Sequence, residues 1–73
     1  MDMAKKINVA ADIIWIRLNV NGEMVLRRLR TLVRMEKSVF YQGLGWLARE
    51  GKISITKAGW RTRISLIKES EIT

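Results

Sequence analysis

The stretch Leu44-Gly45-Trp46-Leu47-Ala48-Arg49-Glu50-Gly51-Lys52-Ile53 changes its hydrophobic period at Gly51. Before that glycine, Phe40, Gly43, Leu44 and Leu47 recur at three- and four-residue spacing, which places them on one buried face of a helix running from about Lys37 to Glu50. After it the period is two: Ile53 and Ile55 alternate with Lys52, Ser54 and Thr56, and Thr62, Ile64 and Leu66 alternate with Arg61, Arg63 and Ser65. Successive side chains on a strand point to opposite faces, so this pattern predicts two half-buried strands. Lys57-Ala58-Gly59-Trp60 between them supplies a tight turn, with glycine where a positive φ is needed, and joins the strands as a β-hairpin.

Upstream of this helix, Leu26, Leu29 and either Leu32 or Val33 define the buried stripe of a shorter helix. Arg27, Arg30 and Arg34 fall on its outward face. A break is expected around Arg34-Met35-Glu36, although neither a glycine nor a good N-cap marks it. Asn21-Gly22 ends a first helix that spans about Asn8 to Val20, with Asn8 as its N-cap. Val9, Ile13, Ile16 and Val20 form the expected buried stripe of that helix, widened by Trp15 and Leu18. Glu23 to Val25 leaves room for one short strand. The predicted order is helix, short strand, helix, helix, hairpin: an α+β chain of three helices with a two-stranded C-terminal β-hairpin and a short strand between helices 1 and 2.

Seventy-three residues fit a single domain, 1–73, with its core at about 7–67 and frayed ends. A core this small gives marginal stability, so association with a second copy is expected. The chain has no cysteine and no histidine, which removes disulfides, thiolate metal sites and the commonest acid-base catalyst. Seven carboxylates stand without a clustered nucleophile, and no Gly-rich loop precedes a Lys-Ser or Lys-Thr pair. No enzymatic activity, cofactor or metal is expected. The polar N-terminus and the short apolar cluster Ile13 to Ile16 fit neither a signal peptide nor a membrane span, which points to a cytoplasmic protein.

Charge is segregated. Of the net +7, residues Met1 to Leu26 contribute zero, Arg27 to Arg63 contribute +8 from ten Lys or Arg against Glu36 and Glu50, and the remaining tail contributes −1. Evenly mixed charge serves solubility equally well, so this concentration points to a side that faces a polyanion.

In the run from Leu44 to Ile53, Leu47, Gly51 and Ile53 resemble the end of the recognition helix and the start of the wing in winged helix-turn-helix proteins. The chain is similar, through the Ile14-Trp15 pair, the Asn21-Gly22-Glu23 turn and that same run, to small stand-alone bacterial winged-helix proteins of uncharacterised function. The resemblance covers about Ile7 to Leu66 and implies a winged helix-turn-helix fold. Val25 and Glu36 depart from the Ser, Thr or Asp that many such proteins place before their second and third helices, and losing a good cap costs about 1 kcal/mol.

The fold in turn implies roles. A recognition helix roughly 20 Å long fits a major groove about 12 Å wide. Its outward N-terminal face offers Lys37, Ser38, Tyr41 and Gln42 to base edges and phosphates, and a plain solvated helix face is the alternative reading. Arg27, Arg30 and Arg34 on the preceding helix suit phosphates, because the planar guanidinium presents forked donors. Lys57, Arg61 and Arg63 on the wing suit a neighbouring phosphate row. Gly43 suits close helix packing, whereas Gly45, nearer the outward face, can admit a phosphate, a partner helix or nothing. Trp46 is expected to pack at the margin of the core, and Trp60 to pack or to serve in a dimer.

The expectation is a transcriptional regulator that binds double-stranded DNA as a homodimer. The alternative is a protein-interaction module that docks an acidic partner on the same basic surface. RNA binding comes third, since no stacking platform for single strands is evident.

Overall fold

The computed structural model describes residues 2–67. Its elements are α1 (Met3–Asn21), β1 (Met24–Val25), α2 (Leu26–Val33), α3 (Lys37–Arg49), β2 (Ile53–Ala58) and β3 (Arg61–Leu66). This is the predicted order, with the short strand and the C-terminal hairpin in place. The three strands form one antiparallel sheet in the order β1-β3-β2. Ile64 on the central strand pairs with Met24 on one side and Ile55 on the other, and it is fully buried.

α3 buries Phe40, Gly43, Leu44 and Leu47, the residues its spacing predicts. It ends in a paired cap, Gly51 N–H donating to the Ala48 carbonyl and Lys52 N–H to the Leu47 carbonyl. That cap turns the chain through a left-handed residue, and Gly51 takes φ +71° there without a Cβ clash. The hairpin closes with Ala58 opposite Arg61. Only Gly59 of the two connecting residues has positive φ, the pattern of a type II′ turn, whose twist matches that of the strands.

α1 departs from expectation at both its start and its face. Asp2, not Asn8, caps it: the Asp2 carboxylate accepts from Lys5 N–H at 2.9 Å, and residues 3–7 are already helical. Residues 68–73, expected as a loose end, lie outside the described residues. The buried face is Ala10, Ala11, Ile14 and Leu18, while Val9, Ile13, Ile16 and Val20 face outward and Trp15 is also exposed. The reason is the crossing with α3. A Cβ at Gly43 would stand 3.0 Å from the Ala10 Cβ and 3.1 Å from the Ala11 backbone nitrogen. Only alanines allow so close an approach, so the small face of α1 turns inward and the bulkier apolar face is left outside.

Of the two residues that the spacing of α2 left open, Val33 packs against the core beside the buried Leu29, while Leu32 is exposed. One smaller expectation is corrected. On β2, Ile53 is buried but Ile55 is exposed, although both lie on the same sheet face. Burial fades along β2 from Ile53 toward the turn, because the hairpin projects beyond the helices that would cover it.

Candidate nucleic-acid interface

Three segments carry the candidate residues. The turn between α2 and α3 is residues 34–36, and Arg34 adopts a left-handed conformation at φ 47° and ψ 51°. That conformation costs about 1–2 kcal/mol for a residue with a Cβ. Val25 and Glu36, as expected, occupy the N-cap positions of α2 and α3 without a side-chain capping bond.

On α3, Lys37, Ser38, Tyr41 and Gln42 are all exposed, opposite the buried Phe40, Gly43, Leu44 and Leu47. The Tyr41 ring meets Phe40 edge-on, with centroids 5.2 Å apart, so the tyrosine stands on a rigid support. The Ser38 hydroxyl donates to the Glu36 carboxylate at 3.0 Å, which leaves its oxygen lone pairs to accept. Gly45 has open space where a Cβ would sit, so packing within the chain gives no reason for a glycine there. Arg49 was missed by the sequence reading. It follows Ser38, Gln42 and Gly45 along one line of the helix at four-, three- and four-residue spacing and is exposed. That spacing was the available signal.

Arg27, Arg28 and Arg30 on α2 are exposed, and the start of α2 meets the hairpin tip. Val25, Leu26, Arg27, Trp60, Arg61 and Thr62 line a cleft of about 370 Å³ there. It exists because β1 ends at Val25, opposite Arg63, so Thr62 and Arg61 of β3 have no strand on that side. Arg27 and Arg61, 34 positions apart in sequence, thus share one recess. The Arg61 guanidinium lies 4.9 Å from the centroid of the Trp60 ring, and Trp60 is otherwise 84% exposed, so it does not pack into the core.

The wing residues divide between two faces. Paired residues on neighbouring antiparallel strands share a face, so Lys57 goes with Thr62, Ile55 and Ile64. Arg61 and Arg63 lie on the opposite face. Arg63 also donates to the Glu23 carboxylate at 3.2 Å, the one ion pair among the described residues. Arg61 therefore keeps a free guanidinium beside Arg27, while Arg63 is partly neutralised.

Among the described residues there is no group of three or more potential metal-ligating side chains, and no helix is long and apolar enough to cross a membrane.

A helix presented after a three-residue turn, with a hairpin projecting beside the helical core, defines a winged helix-turn-helix protein. The chain belongs to the family described as winged helix-turn-helix domain (DUF2582), whose model matches residues 1–66. Comparison with curated proteins and with solved structures finds no match.

Proposed function

We propose that this protein binds double-stranded DNA as a homodimer and regulates transcription, with α3 in the major groove. Lys37, Ser38, Tyr41 and Gln42 are the base-edge and phosphate contacts, with Arg49 extending the same face. Arg27, Arg30 and Arg34 hold one phosphate row, Arg61 and Arg63 hold phosphates beside one face of the wing, and Lys57 reaches phosphate from the wing's other face. The observation that carries this reading is the basic recess shared by Arg27 and Arg61, which joins the helix-turn-helix arginines to the wing within the half of the chain that holds +8 of charge. A left-handed Arg34 at the turn adds to it, since a strained residue kept in place of glycine has a use for its side chain.

Titration of duplex DNA at several salt concentrations tests the proposal. Each phosphate neutralised adds about −0.9 to the slope of log affinity against log salt. Failure to bind duplex of any sequence at low salt would sink it, and enrichment of a palindrome from random duplex would establish half-site reading.

The exposed Trp60 favours a second reading, in which the same recess takes an acidic segment of a protein partner. Charge reversal at Arg27 and Arg30 separates the two. Under the first reading DNA binding falls; under the second it is unchanged and the partner is lost.

A further inference from the structure

We infer that the outer face of α1 is the surface on which a second copy of this chain docks, the two α1 helices running parallel. The inference rests on the homodimer in the reading above, not on its DNA. On that face Val9 is 48% exposed, Ile13 37%, Ile16 53% and Val20 72%. Their spacing of four, three and four residues is that of alternating d and a positions, Val9 and Ile16 standing seven apart and Ile13 and Val20 likewise, as in a coiled-coil seam, and it spans most of a helix about 28 Å long. All four are β-branched. Such residues are poor choices for a solvated helix surface, where they lose rotamer freedom without gaining burial, and good choices for an interface, because little further freedom remains to be lost.

The apolar surface continues beyond the helix. Beside Val9 and Ile13 it descends into a groove of about 140 Å³ lined also by Lys6, Ala10, Met35 and Val39. Trp46, seven residues after Val39 on the same line of α3, is 42% exposed. Trp46 was expected at the margin of the core; its half-exposed indole stands two helical turns along α3 from Val39 and adds apolar surface to that line of the helix.

Charge selects a second copy as the occupant. Met1 to Leu26 carries no net charge while the rest of the described chain is strongly basic, so two molecules of this protein repel through their basic halves far more than at α1. An acidic partner or a nucleic acid is drawn to the other half instead. Asp12 and Arg17 flank the seam on opposite sides, are exposed, and have no ion-pair partner among the described residues. They stand five positions apart, the offset at which flanking charges pair across two parallel helices. A two-fold axis along α1 sets Asp12 of each protomer against Arg17 of the partner subunit, twice over. The interface is then self-complementary and closes as a dimer.

The test is the mass of the full chain in solution without DNA, by sedimentation over a micromolar range. The expected result is a dimer that Ile16→Lys weakens at least about tenfold, since a charge placed in a desolvated seam costs well over the 1.4 kcal/mol that tenfold represents. Ile16 and Val20 are more than half exposed, so Ile16→Lys and Val20→Lys leave the fold intact, which circular dichroism checks. Asp12→Arg should also weaken the dimer, and Arg17→Asp in the same chain should restore it. With no native cysteine, Val9→Cys reports the direction. Parallel helices bring the two copies of position 9 within disulfide reach, and antiparallel helices centred on the seam hold them about 16 Å apart. A monomeric wild type, or a dimer indifferent to Ile16→Lys, overturns the inference, and a Val9→Cys protein that does not cross-link overturns the parallel register. A monomer that still binds DNA sinks this interface alone, whereas a dimer through α1 that ignores DNA supports it and sinks the DNA reading.

Discussion

Gly43 of α3 faces Ala10 of α1 at a separation that admits no added methyl group: a Cβ at Gly43 would lie 3.0 Å from the Ala10 Cβ and 3.1 Å from the Ala11 backbone nitrogen. Relief there would have to come from backbone. Gly43→Ala is therefore expected to destabilise the protein by about 1–3 kcal/mol, the usual cost of overpacking, despite alanine's better helix propensity. Urea denaturation measures it, and an unchanged or raised midpoint would mean that the helices can separate at no cost.

Gly45 predicts the opposite sign. Open space surrounds its would-be Cβ, so Gly45→Ala should stabilise the protein by about 0.5–1 kcal/mol. Weaker duplex binding by that more stable variant, at unchanged fold, would place DNA against this point of α3. Equal binding would mean the glycine admits nothing.

Arg61 and Arg63 should respond differently to removal. Arg61 lies free beside Arg27, whereas Arg63 donates to Glu23 at 3.2 Å. Arg27→Ala and Arg61→Ala are each expected to reduce the salt slope of DNA binding by about 0.9, and Arg63→Ala by less. Slopes from titrations at four or five ionic strengths decide it; equal losses for Arg61 and Arg63 would mean that DNA displaces the Glu23 pair.

Arg34 holds a left-handed conformation that asparagine adopts at lower cost. Arg34→Asn should raise stability by roughly 0.5–1 kcal/mol while weakening DNA binding. Thermal unfolding and duplex titration of the one variant read both effects, and a variant no more stable than the parent would show that the turn carries no strain.

Trp60 is 84% exposed, with Arg61 over its ring. Trp60→Ala is accordingly expected to change stability by less than about 0.5 kcal/mol. If unfolding midpoints fall much further, the indole is packing against the domain in solution.

Much of this architecture was legible before any coordinates. The buried face of α3, the stop at Gly51 and the hairpin follow from local rules, since periodicity reports which side of an element is apolar and a left-handed cap demands glycine. The candidate residues of α3 and α2 were legible for the same reason, as outward positions of amphipathic helices. Arg49 could have been found by extending that line one turn. The pairing of Arg63 with Glu23 could not, because 40 residues separate them and only the register of β1 on β3 brings them together.

The change of period at Gly51 thus determined, from the sequence by itself, that a helix is followed by a wing and hence which fold this chain adopts. Which side of α1 that fold covers was decided only by the tertiary structure. α1 is apolar around much of its circumference, so the larger stripe of Val9, Ile13, Ile16 and Val20 looked like the core face. Alanines at positions 10 and 11 won because α3 offers a glycine opposite them, and the closest approach of two helices is set by both surfaces at once. No pattern within one helix contains that information.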